Sequence, residues 1–198
     1  KKIYQNSNFY EKKISKTFDN YFQYKPSPHL LSSIIKYQNK KYRIEDFTVE
    51  SIWQNKMSKK DYEKLNNFFW FFSLDLKSSK ETTQSVIKNW VNKNDKYNKD
   101  SWEFDLTAKR IIAWLSNHQL TYQDSDKEYR LMFDHMIQKQ TNHLLSEIRS
   151  SNTLENKLIG CSAIILAGLA YKSEKNYLES GLGILKNIIK SSIDNQGF

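Results

Sequence analysis

Glycine and proline are scarce in this sequence, at five and two residues in 198. Sandwiches and barrels use such residues at turn after turn, so the shortage argues against an all-β fold and favours helix. Cysteine is scarcer still. Cys161 stands alone and has no intrachain disulfide partner, and its setting in the apolar run LIGCSAIILAGLAY points to packing rather than to a reactive thiol. No apolar run approaches the roughly 18 residues that span a bilayer, so no membrane span is expected. A Gly-rich phosphate loop, a Cys cluster and a nucleophile elbow are also missing, which removes most cofactor-based readings; no cofactor is expected. The four histidines, His29, His118, His135 and His143, build no local zinc pattern, so no metal site is expected and structural or surface roles are assigned to them. The compartment, bacterial periplasm or cytoplasm, stays open, since the chain begins on Lys1 and any leader lies outside what can be read.

What is present is charge, aromatics and helical periodicity. Lys and Arg number 31 against 22 Asp and Glu, a balance of +9 that suits nucleic acid, anionic lipid or an acidic polysaccharide. The excess is mostly Lys, accompanied by much Asn and Ile, which compositional bias also produces. Hydrophobic residues at 38% and aromatics at 14% supply material for one core. Residues 1–57 read as an N-terminal helix ending near Tyr24, a break at KPSPH, and a mixed arm in which KYRIEDFTVESIW permits a short strand. Residues 58–198 read as a helical domain, expected to be part of a longer protein.

In that second part Ser58 with Asp61, and Ser125 with Glu128, have the Ser-x-x-acid spacing of a helix start. The periodicity predicts helices over about 59–77, 80–94, 103–119, 126–149, 154–172 and 174–193, joined by short connections that make neighbours antiparallel. The helix over 154–172 is apolar nearly all round. Leu154, Leu158, Cys161, Ile165 and Leu169 form one side, and Asn156, Gly160, Ala163, Ala167 and Ala170 a smooth other side, which predicts an inner position. Two tiers of antiparallel hairpins describe part of an incomplete α/α toroid better than a four-helix bundle.

The helix over 103–119 has two committed faces. Ala108, Ile111, Ile112 and Leu115 gather on one side; Arg110, Trp114 and Asn117 gather on the other. An Arg beside an aromatic grips a sugar ring and its acid group, but the same pair also bridges two helical layers, with the guanidinium neutralised by a carboxylate such as Glu103. Trp102 is open to the same two readings. His118, one turn beyond Trp114, would reach any groove formed there.

The order LNNFFWFFSLDL, IKNWVNKN, SWEFDLTAKRIIAWLSNH, MIQKQTNHLLSEI, ENKLIGCSAIILAGLAY and YLESGLGILKNIIKSSIDNQGF resembles the N-terminal helical domain of the heparinase II/III-like polysaccharide lyases over residues 53–198. Its most specific pieces are the Trp, Arg, Trp-Leu series of residues 102–115 and the last helix running into Asp194–Gly197. The resemblance implies a bacterial enzyme with an α/α toroid followed by a C-terminal β-sandwich domain of the same parent chain, cleaving acidic polysaccharides by β-elimination. In that reaction a donor neutralises the uronate carboxylate, a base removes the C5 proton, and an acid protonates the departing glycosidic oxygen. By resemblance Asn156 is the neutraliser, and Trp102, Arg110, Trp114, His118 and Lys157 are substrate-binding. Lys157 stands where the family often has His, so activity is expected, if at all, only from the full-length protein. On the residues alone, Asn156 equally suits the first turn of a helix. A noncatalytic helical scaffold and, less favoured, a basic nucleic-acid-binding protein are the alternative readings.

Overall fold

The computed structural model describes residues 2–16, 58–74, 80–151, 153–171 and 176–192. The described residues are predominantly helical and contain no strand beyond isolated bridge residues at Leu74 and Tyr171. The arm with its expected strand at residues 41–53 and the turn at residues 194–197 lie outside them. The N-terminal helix expected to end near Tyr24 is instead broken at Asn6 and Ser7, where Ser7 caps a second helix, and that helix ends at Ile14 with Ser15 as its C-cap. The elements are α1 (Lys2–Gln5), α2 (Asn8–Ile14), α3 (Lys59–Asn66), α4 (Lys80–Asn94), α5 (Phe104–Ser116), α6 (His118–Thr121), α7 (Lys127–Glu147), α8 (Leu154–Ala170) and α9 (Tyr177–Ser192). Short 3-10 turns occupy Phe69–Ser73 and Ile148–Ser150.

Helix starts follow local chemistry. Ser58 caps α3, its Oγ accepting from the Asp61 N–H at 3.2 Å and donating to Asp61 Oδ2 at 2.7 Å. At α7 the cap is Asp126, not the expected Ser125; Asp126 Oδ1 accepts from the Tyr129 N–H at 2.7 Å, while the Ser125 hydroxyl donates to the Tyr122 carbonyl. A carboxylate is the better acceptor for first-turn amides, which explains the one-residue shift. The helix expected over 59–77 stops at Asn66. Asn67 Oδ1 captures the Phe69 N–H at 2.9 Å and Phe68 takes a left-handed backbone with φ 58°, so the aromatic run turns inward as a 3-10 segment. Likewise the helix expected over 103–119 breaks at Asn117, where α5 gives way to α6.

Side-chain pairings set the directions. Arg110 meets Gln140 and Trp114 meets Phe133, so α5 and α7 are antiparallel. The Gly168 backbone abuts Leu178, and Gly181 abuts Ile165, which makes α8 and α9 an antiparallel hairpin. α8 lies between α5 and α9, burying Gly160, Ala163, Ala167 and Ala170. The smooth side therefore faces inward because it permits close approach. On the aliphatic side Leu154, Leu158 and Leu169 stay exposed, so α8 is not enclosed all round as its composition predicts. Cys161 is buried, and burial pushes its thiol up to about 11, in keeping with packing.

Candidate functional site

Both faces of α5 are covered. Its aliphatic side packs inward and its Trp and Arg side packs against α3, α4 and α7. Of the two roles open to Arg110 and Trp114, bridging between helices is the one found. Arg110 is fully buried. Its Nε donates to Gln140 Oε1 at 3.2 Å, Nη1 to the Asn66 carbonyl at 2.8 Å, and Nη2 to the Ser101 carbonyl at 2.9 Å and Thr107 Oγ1 at 3.2 Å. The guanidinium lies 3.9 Å from the centroid of the Trp90 ring. Burial lowers its pKa to about 9, which leaves it charged at neutral pH. The expected partner Glu103 does not neutralise it. That carboxylate instead caps α5, accepting from the Leu106 N–H at 3.1 Å.

Trp114 is buried among Phe68, Trp90 and Phe133, edge-on to the first two at 5.2 and 5.6 Å. Trp102 is buried as well, its Nε1–H donating to the Asn94 carbonyl at 2.8 Å. His118 opens α6 and is 6% exposed. Asn156 and Lys157 sit in the first turn of α8 and are partly exposed, with the Asn156 N–H donating to the capping Thr153 Oγ1 at 3.1 Å. The six residues thus divide into an interior group on and around α5 and a solvent-reaching pair at the start of α8.

An apolar groove of about 860 Å³ runs beside that pair, lined mainly by Phe69, Ile112, Leu154, Leu158, Ile165 and Leu169, with Lys109 and Glu155 at its polar margins. Lys109 is held by Asp105 at 2.6 Å. None of the six expected residues lines this groove. Among the described residues no group of three or more His, Cys, Asp or Glu side chains is placed to hold a metal, and no helix is long and apolar enough to cross a membrane.

Two polar clusters escape the sequence reading. His143 is buried on α7; its Nε2–H donates to the Trp102 carbonyl at 2.9 Å, so its Nδ1 accepts from Tyr10 Oη at 2.6 Å. Beside it the buried Lys139 pairs with the Glu11 carboxylate and donates to the Asp95 carbonyl. These bonds fasten α2 to α7. Burial raises the Tyr10 hydroxyl above its ordinary pKa, and its hydrogen bond with Ser146 works against that rise. The second cluster is Asp134, which accepts from Tyr171 Oη at 2.7 Å and Tyr122 Oη at 3.1 Å. Burial raises it to about 6 despite these two donors. Neither cluster leaves a local signal, because Tyr10 and His143 are 133 residues apart and Asp134 and Tyr171 are 37 apart. No family model, curated protein or solved structure matches this chain.

Proposed function

We propose that this chain is the helical substrate-binding portion of a heparinase II/III-like polysaccharide lyase, its hairpins forming an arc of an incomplete α/α toroid and a β-sandwich of the same parent chain completing the enzyme. The observation that carries the reading is the pair of antiparallel contacts, α5 with α7 and α8 with α9, joined by the packing of α8 on α5, which brings the segments that bear the resemblance together. Asn156 meets the uronate carboxylate through its amide N–H groups, and Lys157 supplies a countercharge. Trp102, Arg110, Trp114 and His118 act from behind, holding α5 against α4 and α7 so that the start of α8 keeps its place. Incubating the full-length protein with alginate and glycosaminoglycans tests this: ultraviolet absorbance from C4–C5 unsaturated ends supports the reading, and silence on every uronate polymer overturns it.

A second reading, a noncatalytic scaffold of the same fold, is favoured by one observation. The Trp and Arg side chains expected to touch sugar are committed to the interior, and Lys157 replaces an imidazole. A folded full-length protein that binds uronate polymers without cleaving them would select it.

A further inference from the structure

The short helix α2 has three distinct sides. Tyr10 and Ile14 point into the protein and are buried. Glu11, on a second side, is committed to Lys139 and accepts from the Tyr97 N–H at 3.2 Å. At about 100° per residue, Phe9, Lys12 and Lys13 fall together on the third side, and all three are exposed. Phe9 is 69% exposed, the highest value among the described large hydrophobic residues, and Tyr4 lies beside it with ring centroids 6.1 Å apart. The sequence thus leaves two aromatic rings in water next to two ammonium groups, beside a helix whose other sides are anchored by buried hydrogen bonds.

We propose that this face of α2 is a binding surface for an anionic polysaccharide. The inference rests on the lyase reading above, which supplies a uronate chain as the partner. A pyranose presents an apolar C–H face that stacks on an aromatic ring, while its carboxylate projects from the ring edge toward a cation one helical turn away. Lys12 and Lys13 each lie about one turn of 5.4 Å from Phe9, so a sugar stacked on that ring brings its acid group within reach of either ammonium group. The neighbouring segment reinforces the field. Tyr97 packs edge-on against Tyr10 at 5.6 Å and carries exposed Lys96 and Lys99 beside it, partly offset by Asp95 and Asp100. A seven-residue helix with two open rings is too small to lie in a membrane interface, so a flexible polyanion is the better fit.

The test is calorimetric titration of the chain with alginate, with neutral dextran as control. Phe9→Ala, and separately Lys12→Glu with Lys13→Glu, should each weaken alginate binding about tenfold while leaving far-ultraviolet dichroism unchanged. Unaltered alginate affinity in both variants overturns the surface. So does tighter binding of single-stranded DNA than of alginate by the unmodified chain, which would make the face a nucleic-acid site. If the full-length protein cleaves a uronate polymer and the variants bind it normally, the surface falls and the lyase reading stands. If the full-length protein neither binds nor cleaves alginate or heparin, the lyase reading falls and the surface falls with it.

Discussion

Arg110 is a cation held by neutral groups: two backbone carbonyls, an amide oxygen, a hydroxyl and an indole face. Truncating it would strand the Asn66 and Ser101 carbonyls in the interior and open a cavity against Trp90. Arg110→Ala should therefore cost about 3–5 kcal/mol, read as a lowered urea midpoint; a midpoint within experimental scatter of the unmodified chain would refute the bridging role. The pairing of Arg with aromatic residues on one helix face is visible from spacing, but backbone carbonyls leave no trace in composition, so the sequence points to a carboxylate. Asn156→Ala is the contrasting case. Thr153 supplies the cap, so little stability is at stake, yet under the lyase reading kcat should drop about 100- to 1000-fold. An unchanged kcat would remove Asn156 from the chemistry.

Asp134 yields a prediction in pH. Its folded pKa, about 6, lies above the ordinary 3.8, so folding disfavours the ionised form. The corresponding stability is fully present below about pH 4 and is lost as pH rises through about 6. Discounted for partial exposure, the swing is about 1–2 kcal/mol. Asp134→Asn should flatten the difference in unfolding free energy between pH 4 and pH 7 by that amount; parallel pH profiles for the two proteins would contradict it.

At the scale of elements, α8 and α9 come close together at Gly168. A Cβ at Gly168 would lie 2.3 Å from the Leu178 nitrogen and 2.7 Å from its Cα, and backbone cannot step aside. Gly183 on the open side of α9 has nothing within 4 Å. Gly168→Ala should destabilise by about 2–4 kcal/mol, whereas Gly183→Ala should stabilise by about 0.5–1 kcal/mol through helix propensity. Thermal unfolding of the two variants checks both signs, and equal shifts would mean the hairpin is not closely packed. The helices themselves were legible from period 3.6 and from caps such as Ser58. The stop at Asn66 was not, because FFWFF is apolar in every register and it is the Asn67 side chain that bends the backbone there. The smooth side of α8 was also legible, but not that it would be buried in preference to the leucines, since that choice depends on the glycines of the partner helix and on Phe104 meeting Gly160.

For the molecule as a whole, the network that joins α2 to α7 makes the beginning of the chain part of the core, through Tyr10, Glu11, Lys139 and His143. Local pattern sets residues 1–57, an N-terminal helix and mixed arm, apart from the helical domain, since no local rule links positions more than a hundred residues apart. The large positive balance is equally ambiguous in the sequence; the structure separates the buried cations, Arg110 and Lys139, from exposed ones such as Lys12 and Lys13 on α2.

The enclosed indoles have a spectroscopic corollary. Trp90, Trp102 and Trp114 account for three of the five tryptophans, and none is more than 1% exposed. Their emission should be shifted to the blue and largely inaccessible to acrylamide in the folded protein. Trp90, with a guanidinium against its face, senses whether α3, α4, α5 and α7 remain joined. A red shift on denaturation would then time the parting of those four helices, giving the chain an intrinsic optical gauge at the node its sequence makes hardest to interpret.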